Sequence, residues 1–585
     1  MTLRGTGKNA QEPRVVLHDA LSDQWREFSA PRACYSTSDL CDVVPLLEEL
    51  EARVEREQLY AAGFISYEAA PAFDPTLSAR TDAEFPLIWF GLFSSVQFCP
   101  APVPVEQVAA ALDWRPESSS SAYDAALRDI RAAIQSGETY QVNYTYRMRM
   151  KQQVDSWALF CELAGEMPFA AYVQTGAWSI CSFSPELFFQ REGTHLTSRP
   201  MKGTRPRGMT VEADLAYRDA LMHSEKERAE NVMIVDMVRN DLGRIARPGS
   251  VQVPSLFTPE KYPTVWQLTS TVEAQSEVST VAVLQALFPP ASITGAPKRR
   301  TMQIIRELEH SPRRVYTGCI GYLAPGQRAQ FNVAIRTVLL NTEQGCGEYG
   351  VGGGIVWDSN ATAEYAETLT KARALRPYPR DFALLETLRW DPAEGYWLVA
   401  LHLDRLVRSA AYFDIPLDME AVKAALERAV RAARERLRVR MTVARDGAVQ
   451  VTCVAAATAA TFGRVALAKS PIERHNVFLY HKTTHRALYQ HALAECPGAD
   501  DVVLFNEAGE VTESTIANLA VQLNGTLYTP PLSCGLLAGT LRAALLQEGR
   551  LTERIIRVDE LAQCEAIYLL NSVRGFQRIT LSQLD

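Results

Sequence analysis

Polar and apolar positions along the chain follow two periods, and the switches between them mark its elements. Residues 61–67 and 87–93 are dense in apolar, β-branched and aromatic side chains and predict strands around a charged helix over 46–58. Residues 1 to about 15 read as disordered. A Pro-, Ser- and Ala-rich connection covers 101–121. A helix with apolar residues at helical spacing follows over 123–135 and stops at Gly137, and residues 140–146 predict a strand. Strands and short turns continue to about Phe189, where a basic loop begins. Residues 224–242 form a helix with a charged opening and a nearly all-apolar continuation at 232–238, expected to be buried all round. A Pro/Gly-rich loop over 288–298 leads into a helix at 299–308, whose N-terminus suits an anion. Strands are predicted at 318–324 and 331–340, then a glycine run at 350–356 and one more helix. A boundary falls near 376–379, and the pattern restarts with strands at 382–390 and 396–401 and a helix carrying His402 and Arg405. The organisation is therefore two regions, 1–375 and 376–585.

Composition narrows the class. At 585 residues the chain is too long for one core. Its 47% apolar and 22% charged residues are those of a soluble globular protein. A net charge of −8 argues against a nucleic-acid or membrane-surface partner. The polar N-terminus is not a signal peptide, and no apolar run is long enough to span a bilayer. The eleven cysteines form no C-x-x-C pair, which points to reduced thiols and a cytoplasmic protein.

Several segments carry candidate chemistry. Lys202 stands between Met201 and Gly203 with Arg199, Arg205 and Arg207 nearby. Neighbouring guanidinium charge favours a neutral, nucleophilic amine, although a solvated basic loop has the same composition. Glu230 sits where its helix turns apolar and needs a cation partner. Arg336 lies in an apolar strand and demands an acidic partner or a bound carboxylate. The glycines at 352–354 let a ligand approach the backbone. Glu364, Glu367 and Lys371 share one helix face. With Glu230 they read either as an oxygen-rich divalent-metal site or as a salt-bridge stripe.

Taken in order, Ser184-Pro185-Glu186, Pro200-Met201-Lys202-Gly203-Thr204, the segment from Glu230 to Arg244, Ser292-x-Thr294-Gly295-Ala296-Pro297-Lys298 and Gly352-Gly353-Gly354 before Glu364-x-x-Glu367 resemble the chorismate-utilising enzymes. The resemblance spans nearly all of 15–375 and implies an α+β fold with two packed β-sheets and outer helices. Lys202 in Pro-x-Lys-Gly-Thr resembles the aminodeoxychorismate synthase branch, since anthranilate synthases usually carry alanine there. The resemblance implies Mg²⁺ held by Glu230 and Glu367 with Glu364 close by. It implies chorismate bound by Arg336, Lys371, Gly352, Gly353, Thr294 and Gln141, with Glu186 as general acid and Lys202 adding covalently. Gln141 stands where isochorismate and salicylate synthases carry a water-activating lysine. Gln267 departs from a histidine common among relatives. No glutamine-amidotransferase pattern is visible, so the expected nitrogen source is ammonia, free or from a separate glutaminase subunit.

In the second region, Lys482 after an extended aromatic run, Glu513 about thirty residues later, Gly539-Thr540 opening a helix and an early Arg405 resemble the fold-type IV pyridoxal-phosphate enzymes. This implies a smaller α/β domain in which Lys482 carries pyridoxal 5'-phosphate. Glu513 would pair with its ring nitrogen, and Arg405, Gly539 and Thr540 would bind its phosphate. Glu386, Thr387 and Arg389 are expected to face substrate. Adjacency of the two regions points to amination of chorismate followed by release of pyruvate to give 4-aminobenzoate. The rivals are an anthranilate-synthase-like enzyme fused to an aminotransferase and a synthase with a non-catalytic docking domain.

Overall fold

A computed structural model describes residues 12–582, apart from 106, 166, 373–374, 376–378 and 457–461. The expected N-terminal disorder and the boundary at 376–379 fall largely outside the described residues. There are two compact units: Met1–Pro206 with Arg218–Tyr378, and Arg207–Tyr217 with Pro379–Asp585.

The first unit is built on two ten-stranded antiparallel sheets. In one, Gln141–Met150, Cys346–Ile355, Thr337–Asn341, Trp178–Ser184 and Phe169–Gln174 are successive neighbours. In the other, Met201–Pro206 forms one edge beside Val265–Gln275, followed by His195–Arg199, Leu187–Glu192 and Arg328–Val333. Alternation along each strand sorts the side chains. In Tyr60–Ile65, Ala62 and Phe64 enter a core shared with Val15, Leu17, Val173 and Leu339 of the facing sheet. Ala61 and Ile65 join a second core with the helix Leu40–Glu57. The outer face of the other sheet is covered by the helices Ser120–Gln135, Ser156–Ala164 and Lys298–Leu308, through Leu127, Ile130, Phe160 and Ile305. This is the α+β arrangement of two packed sheets with helices outside. Full burial of a side chain such as Phe64 contributes about 2–3 kcal/mol.

Two expectations need correction here. The helix Glu225–Gly243 is not buried all round: Ile234, Val235, Val238 and Leu242 are buried, whereas Val232 and Asp236 are exposed. A helix lying on one sheet face buries only a stripe. The strand expected over 331–340 is two strands, Arg328–Val333 and Thr337–Asn341, which belong to different sheets. Arg336 stands at the crossing, with φ 49°.

The second unit has a four-stranded antiparallel sheet, in the order Gly395–Tyr396, Leu384–Asp391, Leu437–Val443, Val449–Ala455. A mixed eight-stranded sheet includes Val465–Leu467, Asp501–Phe505, Val511–Ser514 and Asn518–Leu523. The strand expected over 396–401 is absent beyond Tyr396; the helix Val399–Phe413 takes its place, entered through Leu398 at φ 57°. The aromatic run before Lys482 is not extended either. Val477–Leu479 is one 3₁₀ turn, capped by the Asn476 side chain accepting from the Phe478 amide. Among the described residues no helix is long and apolar enough to cross a membrane.

Candidate active sites

Lys202 belongs to the strand Met201–Pro206, not to a loop. Pairing with Val265–Gln275 slips between Met201 and Thr204. Gly203 occupies the bulge at φ 96°, where a side chain would be strained. The Lys202 Nζ lies 2.6 Å from the point where a Cβ on Gly354 would stand, and Gln141 Nε2 lies 2.5 Å from it. Glycine at 354 therefore leaves room for both groups. Gln141 is fully buried, and among the described residues neither atom of its amide has a partner. Such an amide costs about 1–3 kcal/mol, which a polar ligand would recover. Two arginines of the segment have carboxylate partners of their own, Arg199 with Glu260 and Arg207 with Asp214.

Glu186 is buried and accepts a hydrogen bond from Ser292 Oγ at 2.6 Å. Burial pushes its carboxyl up to about 7, against the Ser292 bond and the charge of Lys202. Arg336 Nη2 donates to Gln267 Oε1 at 3.2 Å, and its guanidinium lies 5.7 Å from the Tyr262 ring centre. Burial lowers its pKa. Among the described residues no carboxylate pairs with it. Thr294 directs its hydroxyl to the Pro290 and Ala291 carbonyls of its own turn, at 3.3 and 3.2 Å.

Around the glycine run, Lys371 Nζ reaches Glu367 at 2.8 Å and donates to the Gly352 carbonyl at 2.9 Å. Ser359 Oγ donates to Glu364 at 2.6 Å. A Cβ on Gly353 would stand 3.4 Å from Glu364 Oε2 and 3.7 Å from Lys371 Nζ. The Lys371 charge holds the Glu367 carboxyl below its usual range. Burial raises Glu227, with the charge of Glu230 adding to it, and burial raises Glu364, with Glu367 adding. Glu230 is half-buried, and among the described residues no cation of the chain pairs with it. Among the described residues no group of three His, Cys, Asp or Glu side chains is gathered to hold a metal ion. The donor chemistry still suits a hard cation, since these carboxylates are oxygen ligands that repel one another.

Lys482 opens into a cavity of about 310 Å³ that is also bordered by Arg405, Arg486, Glu513, Gly539 and Thr540. Its carbonyl accepts from the Leu385 amide at 2.9 Å, which ties it to the strand Leu384–Asp391. Burial, then the charge of Arg405, lowers the amine to about 8. Glu513 is buried, and burial raises its carboxyl to about 7. Its hydrogen-bond donors are neutral, Tyr489 Oη at 2.8 Å and Asn518 Nδ2 at 3.1 Å. The helix Thr540–Gln547 begins at Gly539, where a Cβ would fall 1.8 Å from Asn518 Oδ1.

Arg405 is clamped from behind. Its Nε and Nη2 donate to Glu386 at 2.9 and 2.6 Å, and its Nη1 donates to the Ala538 carbonyl at 3.1 Å. His402 bridges Glu386 and the Thr540 hydroxyl at 2.6 and 3.3 Å. Against burial, Arg405 and His402 hold the Glu386 carboxyl down at about 2. Glu386 thus positions an arginine instead of facing substrate. Thr387 lines the cavity, whereas Arg389 stacks on Trp397 at 4.0 Å.

A family model described as chorismate binding enzyme matches residues 13–377. The chain belongs to the chorismate-binding enzyme family. A second model, amino-transferase class IV, matches 383–581. Aminodeoxychorismate synthase component 1 of Salmonella typhimurium is 44% identical over 269 residues, 45% of this chain and 59% of the relative. Anthranilate synthase component 1 1 of Haloarcula marismortui is 40% identical over 255 residues, 43% of this chain and 51% of the relative. The chain thus spans a little over half the length of the component 1 relatives it matches. The crystal structure of anthranilate synthase component I from Streptococcus pneumoniae superposes with TM-score 0.51 at 23% identity, covering 64% of this chain and 94% of that one, which speaks for the fold.

Some site residues of this chorismate-binding enzyme carry no role in the sequence reading. Ser292 and Asn518 lie inside the motifs, but nothing local ties them to Glu186 and Glu513. Tyr489 belongs to the helix Ala487–Ala494 and carries no local signal at all.

Proposed function

We propose that the chain is a bifunctional enzyme forming 4-aminobenzoate. Region 1–375 would aminate chorismate at C4, and region 376–585 would eliminate pyruvate from the resulting 4-amino-4-deoxychorismate. This reading is carried by the convergence of the Lys202 amine and the orphaned Gln141 amide on Gly354, within electrostatic reach of Glu186, whose carboxyl burial raises to about 7. Identity to aminodeoxychorismate synthase component 1 supports the same branch.

In the first step Glu186 gives its proton to the C4 hydroxyl, which leaves as water. The neutral Lys202 amine adds at C2 as both ring double bonds shift toward C4 and the C4–O bond breaks. Ammonia then adds at C4, both double bonds return, and Lys202 leaves C2. Arg336 and Lys371 hold the substrate's carboxylates. Glu230, Glu364 and Glu367 would hold Mg²⁺, which when bound gives the ring carboxylate a cationic anchor. Ammonia would come from a separate glutamine amidotransferase subunit, in keeping with the component 1 naming of the relatives.

The Lys482 cavity fits pyridoxal 5'-phosphate. Lys482 would carry it, the protonatable Glu513 would face its ring nitrogen, and Gly539, Thr540 and the clamped Arg405 would meet its phosphate. When bound, the cofactor supplies an electron sink for charge left at C4. The Lys482 amine would take the C4 proton, and the C3–O bond would break to release the enolpyruvyl group as pyruvate. The free cysteines are in keeping with a cytoplasmic enzyme.

Incubation of the purified chain with chorismate, Mg²⁺, ammonium and pyridoxal 5'-phosphate is expected to yield 4-aminobenzoate and pyruvate in equal amounts. Anthranilate as the main product would overturn the first assignment. Accumulated aminodeoxychorismate with cofactor bound would overturn the second.

The amination should also carry the signature of Glu186. A general acid works in its protonated form, so at constant free-ammonia concentration the rate is expected to fall as pH rises through about 7. The hydrogen bond from Ser292 favours the ionised carboxylate. Ser292→Ala should therefore move this alkaline limb to higher pH, as read from a product-formation pH profile.

A further inference from the structure

The wall of the Lys482 cavity carries more positive charge than a phosphate group uses. Arg405, Arg438, Arg440, Arg486, Arg574 and Lys482 border it, against a single carboxylate, Glu513, among the described lining residues. Three of these six cations are engaged. Arg405 is neutralised by Glu386. Arg486 donates to the Thr515 carbonyl and stacks on Tyr489 at 4.5 Å, and Arg574 stacks on Phe462 at 5.0 Å. Arg438 and Arg440 differ: among the described residues neither side chain makes a hydrogen bond or an ion pair.

Their placement follows from the strand. Leu437–Val443 buries Leu437, Val439, Met441 and Val443 on one face and turns Arg438 and Arg440 to the other. Thr387, the register partner of Arg440, borders the same cavity. Alternate strand residues lie roughly 6.6–6.8 Å apart, so two guanidinium groups stand side by side on one wall. Like charges held together in this way are stabilised by anions. The phosphate is already provided for by Gly539, Thr540 and Arg405.

We propose that Arg438 and Arg440 form a dicarboxylate-recognition wall, which selects an amine carrying two carboxylates over a monocarboxylate amine. The inference rests on the reading that this cavity holds pyridoxal 5'-phosphate and an amine substrate. It deepens that reading by naming what separates this site from one for simple amino acids. Each guanidinium presents a fork of donors that matches a carboxylate. Two of them on one wall favour a ligand with two carboxylates on a rigid ring.

The test uses the full chain loaded with pyridoxal 5'-phosphate. Isophthalate and benzoate are titrated separately, and binding is followed by the cofactor's visible band. Isophthalate is expected to bind at least about tenfold more tightly than benzoate. In Arg438→Gln/Arg440→Gln the two affinities should converge to within about twofold, with the unliganded band unchanged as the check on folding and cofactor binding. Arg438→Lys/Arg440→Lys should restore part of the preference. With aminodeoxychorismate as substrate, the Gln variant should show KM raised about tenfold or more and kcat within about threefold of the parent. An unchanged isophthalate preference in the Gln variant would overturn the proposal, whether or not the parent is a lyase. A parent that forms no 4-aminobenzoate, yet shows an isophthalate preference lost with the arginines, would instead overturn the lyase reading and leave the wall standing.

Discussion

Lys202→Ala is expected to abolish formation of C4-aminated product while the protein stays folded. The side chain contributes an amine and little packing. The structural work at this position is done by the backbone: the Lys202 carbonyl accepts from Asn231 Nδ2 at 3.3 Å, and Met201 pairs with Thr269. Alanine keeps both. The rate from chorismate and ammonium should fall by roughly 10²- to 10⁴-fold, the scale of a positioned reacting group. The melting temperature should move by no more than about 2 °C. Product analysis and a thermal scan on the same preparation check this. Amination that persists near the parent rate in a folded variant would remove Lys202 from the mechanism.

Lys482→Ala should separate the two activities. The variant is expected to lose the visible band of bound cofactor and to stop at aminodeoxychorismate, while chorismate consumption continues at the parent rate. The amine it removes has an unusual acidity. Only the neutral form attacks the cofactor's aldehyde, and burial brings the Lys482 amine down to about 8 from the ordinary 10.5. Cofactor capture by the apo protein, trapped with borohydride, should therefore rise with pH up to about 8 and then level off. An ordinary lysine would still gain about tenfold per pH unit between 8 and 10. A capture rate that keeps climbing across that interval would show that the amine is solvated and that the cavity does not enclose it.

Much of this molecule could be read from its residues, because its motifs are local and its strands are dense in β-branched and aromatic side chains. Lys202, Gln141 and the glycine run are separate in sequence, but each lies in a segment with its own signature. The failures have separate causes, and the first is a change of direction that no turn residue marks. Residues 331–340 contain neither Gly nor Pro, yet the chain changes sheets inside them. The helix Val399–Phe413 starts from a left-handed Leu398 without a side-chain cap, so the usual Ser, Asp or Asn signal is missing. Val232 sits in an apolar run and is still 40% exposed, since which side of a helix meets the sheet is set by its neighbours. The clamp of Glu386 on Arg405 is a pairing between a strand and the next helix, which no local rule anticipates.

The crossing at Arg336 gives the first unit a built-in caliper. The preceding strand belongs to one sheet and the following strand to the other, so the guanidinium is carried on the short span that bridges their gap. Leu339 and Ile320 fill that gap from opposite sides. A change of volume there alters the spacing, and under the proposed function the spacing would set where the cation meets the substrate's carboxylate. Displacements near 1 Å at a reacting complex cost about 10²-fold. Interior residues that never touch the ligand thereby act as its measuring jaws, and shimming or shaving them should retune catalysis without altering any group that does chemistry.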